Sequence, residues 1–596
     1  MVKVLNGMGA IVGPDGVTFR VWAPNANKVC LMGSFNDWDD TSLMLNQEGD
    51  GYWAVHVENA QEGDEYKYVI TNGEKIFYRN DPYAKKMNHS NGNGIIIDLY
   101  KDWEDHEFHT CSFNVLVIYE MHVGTFNRNG VENGQVGNFY TAVEKLDYLK
   151  DLGINAIELM PIMEFPGDNS WGYNPSQPFA VETSYGGPEG LKHFIFEAHI
   201  RGIAVIMDVV YNHFGPSETD LWQFDGWEEN GLGGIYFYND YRAKTPWGEN
   251  RPDYGRKEVR VFLRDNAMMW LEAYQCDGLR FDATAIIRLI NGYENTENVL
   301  LEEGFNFLRD LNTELREKFP QKILIAEDLK ADPVVTAPLN SNGLGFHSQW
   351  GIGFVHSLRN VLTERSDEQR NLQSVVDSVF ETFNNDVFQR IIFTESHDQV
   401  ANGASRLPEE IQAGEADGEF AKKKSTLGAI TLFTAPGIPI IFQGQEFLSF
   451  GKFDDVTPLD WEMTKNFNGI NKMYRDLIRL RKAENGRSKG LTGSGTKILH
   501  YNEDNLVLVY ARVHSAIPDQ PVISILNFSH ELIRGYRIGM EASGDWQVIF
   551  NSGWKGYDED FSEVDLVVVK EQEGFDSKPF SILVDIPSYG GIILAR

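Results

Sequence analysis

Arg280 and Asp282 stand two residues apart in the stretch CDGLRFDAT, residues 276–284. In an extended strand such a pair shares one face, with Leu279 and Phe281 on the other. A carboxylate at a strand end, held ionised by a neighbouring guanidinium, can act as a nucleophile. The same two residues could equally form a structural ion pair. Other apolar runs tip the balance, because they too end in polar clusters. DVVYNH supplies Asp208, Asn212 and His213, ILIAED supplies Glu327, and FTESHD supplies His397 and Asp398. Singly, each reads as a satisfied strand end. Gathered at one mouth, they are hard to explain as structure, since clustered buried acids repel and cost stability.

Cleavage of a glycosidic bond needs two carboxyl groups in different states. Asp282, beside Arg280, suits the ionised one that attacks the anomeric carbon. Glu327 follows an apolar run and lies near other acids, both of which raise a carboxyl pKa, so it suits the protonated donor to the leaving oxygen. Asp398 with His397 would hold sugar hydroxyls and stabilise positive charge in the transition state. Asp208, Asn212 and His213 would bond the hydroxymethyl end of the ring, and Tyr173, in SWGYNP, would stack beneath it.

Such a set needs parallel strands whose ends meet. Eight strands are expected, at 115–119, 154–160, 203–209, 278–282, 323–327, 345–350, 390–396 and 438–443. Helical stretches such as TAVEKLDYLKDLG and GGPEGLKHFIFEAHIRG lie between them. This alternation predicts an α/β fold, a (β/α)8 TIM barrel spanning 111–487. No GxGxxG follows the first strand, which argues against a dinucleotide fold. An aromatic-rich loop insertion, 211–258, follows the third strand, and long loops at that end of a barrel are usually functional. The polar stretch 399–425 reads as a mobile surface loop. The barrel's last helix is expected at 473–486.

Residues 1–100 read as an all-β sandwich, with short runs such as VTFRVWAP and EYKYVI between Gly, Asn and Asp turns. Of its large rings Trp22, Phe35, Trp38, Trp53 and Tyr66, most are expected in the core and about one or two on a ligand surface, with a glucan site resting on Trp22, Trp38 and Trp53. A polar linker is expected at 100–110. Residues 490–596 read as a C-terminal all-β domain.

The 596-residue chain carries 53 Lys and Arg against 87 Asp and Glu, a net charge of -34. That argues against nucleic acid or an anionic membrane as partner, because both are polyanions. Its three cysteines, Cys30, Cys111 and Cys276, form neither a disulfide framework nor a zinc motif. Free thiols suit an intracellular, cytoplasmic protein. No signal peptide and no apolar run of membrane length is read. No cofactor and no metal are expected, and a monomer is.

DVVYNH, GLRFDA, IAED and ESHD resemble, as an ordered set, the four signature segments of the α-amylase superfamily of glycoside hydrolases. The resemblance implies retention through a covalent glucosyl-enzyme. It matches Asp282 to the nucleophile, Glu327 to the general acid/base and Asp398 to the transition-state stabiliser. Arg280, Asp208, His213 and His397 match the accompanying positions, and Tyr173 the aromatic platform. Some relatives hold calcium near the loop after the third strand, and Asn212 matches one such ligand.

The resemblance covers nearly the whole chain. FRVWAPNANKVCLMGSFNDW is similar to the carbohydrate-binding-like module of branching and debranching enzymes. ILNFSHELIRGYRIG, IPSYGGIILAR, GQEF and PLDW resemble glycogen branching enzymes. Bacterial branching enzymes usually carry two glutamates where this chain has Glu327 and Asp328, and Glu where it has Gln399. VIYEMHVGTF, MEFPGDNSWGY, DVVYNHFGP and KTPWG look closer to maltooligosyl trehalose trehalohydrolases. The resemblance therefore implies a 1,4-α-glucan branching enzyme, with α-glucan polysaccharide or maltooligosaccharide as substrate. A hydrolase of the same superfamily is the alternative: a trehalohydrolase, debranching enzyme or α-amylase. A catalytically dead glucan-binding scaffold is disfavoured because every matched acid is present.

Overall fold

The computed structural model of the protein describes residues 4–101, 103, 107–132, 134–215, 219–564, 567–571 and 573–596. Parts of the expected linker (102 and 104–106) and of the expected aromatic loop (216–218) lie outside the described residues.

Eight strands close into one parallel barrel in chain order. They are β1 (Ile118–Met121), β2 (Ala156–Leu159), β3 (Ala204–Val209), β4 (Gly278–Phe281), β5 (Ile323–Ala326), β6 (Ser348–Trp350), β7 (Arg390–Ile392) and β8 (Ile438–Phe442). Every residue in them is buried. Burial on both faces is why strands such as β5 and β8 read as apolar runs instead of alternating ones. β1 starts later than the apolar run does, because Phe113–Val115 forms a single 3-10 turn closed by the Val115 amide on the Ser112 carbonyl. The helix expected from Thr141 is two, Phe139–Val143 and Leu146–Leu152. Asn138 caps the first by accepting from the Thr141 amide. The last barrel helix runs Asn468–Arg481, earlier than expected.

The chain forms two compact units, residues 1–110, 122–146 and 158–346 in one, and 111–121, 147–157 and 347–596 in the other. The first unit begins with the N-terminal sandwich. One sheet orders its strands Gly9–Gly13, Gly16–Trp22, Tyr52–Val57, Asn46–Gly49. The other is built on Lys28–Gly33 and Glu65–Asn72. The aromatic loop after β3 packs against this sandwich. Asn25 donates to Asp225 Oδ2 from its amide nitrogen (2.8 Å) and side chain (2.9 Å), and Arg79 Nε donates to the Phe224 carbonyl at 3.2 Å. Trp22 meets Tyr236 edge-on at 5.7 Å. Phe224, Tyr236, Phe237 and Tyr238 are core, whereas Tyr241 and Trp247 are exposed.

Most of the five rings on residues 1–100 are core, as expected, and the glucan site placed on Trp22, Trp38 and Trp53 loses two of its three rings. Trp22, Trp53 and Tyr66 are buried, and Trp53 Nε1 donates to the Ala23 carbonyl at 3.0 Å. Phe35 and Trp38 are half-buried.

In the second unit, the stretch expected as a surface loop holds the helix Leu407–Ile411 and the start of the helix Glu419–Thr434. Pro408 near the first helix's start, followed by Glu409 and Glu410, favours that start. Lys422 is buried and its ammonium bridges Asp558 (2.8 Å) and Asp560 (2.5 Å) of the C-terminal domain. That domain has a five-stranded and a three-stranded antiparallel sheet around a core that includes Val507, Val509, Ile523, Ile592 and Trp546.

Candidate active site

The pairing of β3 with β4 sets Asp208 level with Arg280. Arg280 is fully buried, and its Nη1 reaches Asp208 Oδ1 (3.0 Å), Asp208 Oδ2 (2.9 Å) and Asp282 Oδ1 (2.7 Å). Its Nη2 lies 3.9 Å from Glu327 Oε2. Burial works against the guanidinium charge, but Asp208, Tyr173, Asp282 and Glu327 together hold its pKa well above the usual arginine value. One cation thus anchors acids from the ends of three strands.

Asp282 follows β4 and is 8% exposed. Asn212 Nδ2 donates to its Oδ2 at 2.6 Å and to its carbonyl at 2.9 Å. Glu327 follows β5 and is 7% exposed, and its Oε2 accepts from the Ala283 amide at 2.6 Å. Ala283 holds a left-handed conformation with φ of 41°, rare for a residue with a Cβ. That turn aims its N–H at Glu327.

Tyr173 donates its hydroxyl to Asp208 Oδ2 at 2.7 Å, and its ring lies 5.9 Å from the Arg280 guanidinium carbon. Gly172 before it has φ of 93°, and a Cβ there would come within 2.0 Å of the Pro161 carbonyl. Only glycine lets the loop pass this close. His213 is buried, with Nε2 2.8 Å from the Tyr173 carbonyl. Burial lowers its pKa to about 4, against the pull of Asp282, so the ring is neutral near pH 7.

Tyr173, Asp208, His213, Arg280, Asp282 and Glu327 therefore come together within the first unit. His397 and Asp398, which follow β7, belong to the second. There His397 is buried, its Nδ1 2.5 Å from Glu120 Oε1 and its amide donating to Glu120 Oε2 at 3.1 Å. Its Nε2 lies 3.4 Å from Asp398 Oδ2, and the Asp398 side chain is half-exposed.

Two residues of this arrangement were missed by sequence reasoning. Glu120 ends an apolar run in VIYEMH, the same signal that marked the other strand ends. Trp247, in KTPWG, stacks on His213 at 4.3 Å with 20° between the rings. With Tyr78, Arg79 and Trp222 it lines a cavity of about 770 Å³. Nothing in the sequence distinguishes Trp247 from the neighbouring rings that pack as core.

Calcium does not fit the donor set around Asn212. Its amide nitrogen is spent on Asp282 and its oxygen faces the His213 ring. Among the described residues no three His, Cys, Asp or Glu gather as a metal site. Among the same residues, no helix is long and apolar enough to cross a membrane.

An eight-stranded parallel barrel between two β domains, with carboxylates sharing one arginine at the strand ends, is the architecture of the α-amylase class. The family model described as "Alpha amylase, catalytic domain" matches residues 83–230 and 249–492. "Carbohydrate-binding module 48 (Isoamylase N-terminal domain)" matches 7–84, and "Alpha amylase, C-terminal all-beta domain" matches 498–596. The chain is 31% identical over 577 residues to the 1,4-alpha-glucan branching enzyme GlgB of Oceanobacillus iheyensis, covering 91% of this chain and 86% of the relative. It is 30% identical to the enzyme of that name from Aquifex aeolicus, covering 90% and 87%. A pullulanase from Anoxybacillus sp. LM18-11, solved with maltotetraose, shares the fold at a TM-score of 0.76 and 22% identity, covering 99% of this chain and 88% of that one. A pullulanase from Paenibacillus barengoltzii does so at 0.75 and 20%, covering 99% and 96%. The chain belongs to the α-amylase family and, within it, to the 1,4-α-glucan branching enzymes.

Proposed function

We propose that this protein is a 1,4-α-glucan branching enzyme that works by retaining double displacement. Asp282 attacks the anomeric carbon of an α-1,4-linked glucose. As the carbon–oxygen bond breaks, Glu327 gives its proton to the leaving 4-oxygen. The cut chain stays on Asp282 as an ester. Glu327, now a carboxylate, takes the proton of an incoming glucan 6-hydroxyl, whose oxygen displaces Asp282 and forms the α-1,6 bond. Arg280 pairs with Asp282 and shares its charge with Asp208. Tyr173 stacks beneath the ring, and Asp208 and His213 hold its hydroxymethyl end. His397 and Asp398, matched by the ESHD signature, hold hydroxyls and stabilise the positive charge that develops on the ring. The barely exposed carboxylates of Asp282 and Glu327, flanking one buried guanidinium, are the observation that carries this reading. Three unpaired cysteines suit action in the reducing cytoplasm, on stored glucan.

The test is proton NMR of the protein with amylose, following anomeric signals and reducing ends together. New α-1,6 signals without a matching rise in reducing ends are expected. Rising reducing ends without α-1,6 signals would make the enzyme a hydrolase, with maltooligosyl trehalose the next substrate to try.

A further inference from the structure

Glu327 is gripped by one short helix, Thr284–Arg288, which begins two residues after Asp282. At its start the Thr284 amide donates to the Glu327 carbonyl at 2.8 Å. The Thr284 hydroxyl lies 2.8 Å from that carbonyl and 3.0 Å from Asp328 Oδ2. At its end Arg288 clasps Asp328 with two parallel bonds, Nε to Oδ2 at 2.9 Å and Nη2 to Oδ1 at 3.0 Å. Arg288 Nη1 also reaches Asp332 Oδ2 at 3.1 Å. Arg288 and Asp328 are buried. Neither faces the cluster that includes Asp282 in any contact described above.

The physical role of the clasp follows from Ala283. Its left-handed backbone is costly for a side-chain-bearing residue and persists only where the surroundings hold it. Here the helix that Ala283 opens is tied at both ends to the segment carrying Glu327. We propose that Arg288 is a positioning residue for the general acid, acting through Asp328. By fixing the helix it fixes both the backbone under Glu327 and the N–H that holds Oε2, and so the direction in which the carboxyl meets the leaving oxygen. Lysine could keep the charge but not the two-pronged geometry. The proposal rests on the reading of Glu327 as general acid.

The experiment compares amylose, whose leaving oxygen needs a proton, with α-maltosyl fluoride, whose fluoride does not. Arg288→Lys is expected to slow single-turnover cleavage of amylose about 30-fold, with KM and fluoride release both within about threefold of the parent. Asp328→Asn, which keeps the side chain's shape but replaces one of the two acceptors by a donor, carries the same comparison should Arg288→Lys not fold. Equal loss on both donors, or loss on neither, would overturn the positioning role. Glu327→Gln is the control. If it lacks the split between donors, the acid assignment itself fails. If it has the split and the Arg288 and Asp328 variants do not, the positioning role alone fails.

Discussion

Arg280 and Asp282 lie two residues apart on one face of β4 and its extension, and Nη1 of the first donates to Oδ1 of the second across 2.7 Å. Replacing Asp282 by Asn removes the nucleophile but leaves Arg280 paired with Asp208. The buried guanidinium is then not orphaned, the circumstance that makes broken buried pairs costly. Asp282→Asn should therefore fold and bind glucan while turning over amylose at less than about 1% of the parent rate. Retained turnover, read by the NMR assay, would mean that the nucleophile is elsewhere.

Glu120 does for His397 what the sequence alone did not reveal. Its two oxygens take the ring Nδ1 and the amide of His397, leaving Nε2 toward Asp398. A neutral amide at position 120 would weaken a charge-assisted bond and allow the ring to turn. Glu120→Gln should lower kcat/KM on amylose about 10- to 100-fold, the equivalent of losing one such bond in the transition state. Unchanged kcat/KM in a folded variant would assign the pair a purely structural role.

The barrel could be read because strands buried on both faces are rich in apolar residues, and runs ending in Asp208, Asp282 or Glu327 mark the candidate site. What could not be read depends on contacts between distant segments. Trp22 and Trp53 look like a sugar surface until the loop after β3 is seen to cover Trp22 and the Ala23 carbonyl to take the Trp53 nitrogen. Lys422 looks solvated until Asp558 and Asp560 are found beside it. Glu120 carried the same signal, and its part is seen only from its contacts with His397, far along the chain.

Trp247 offers a flat face to the His213 ring and a wall to the neighbouring cavity. A sugar ring stacked on the Trp247 face that lines the cavity would contribute about as much as an aromatic pair, roughly 0.5–1.5 kcal/mol. Trp247→Ala should therefore raise KM for amylose about two- to tenfold with a smaller change in kcat. Initial rates across a range of amylose concentrations decide it, and an unchanged KM would remove Trp247 from the substrate path.

Glu164 and Glu182 sit at the two ends of the segment that carries Tyr173, both essentially unexposed. Glu164 Oε2 accepts from the Thr183 amide and hydroxyl, and its Oε1 has no hydrogen-bond partner among the described residues. Glu182 Oε1 accepts from the Ser184 amide and hydroxyl. Burial first, then the neighbouring carboxylates Glu182 and Asp168, pushes Glu164 up to about 8, and burial raises Glu182 to about 7. With folded values above the ordinary 4.5, the folded chain keeps protons that the unfolded chain has released. Stability is therefore greatest below about pH 4.5 for these two groups and falls as pH rises toward 8. Glu164→Gln cannot ionise and removes the repulsion between the two carboxylates. It should raise stability at pH 8 and change it little at pH 4.5, as read by denaturant unfolding at both pH values. A gain of equal size at the two pH values would mean that packing, not ionisation, is responsible.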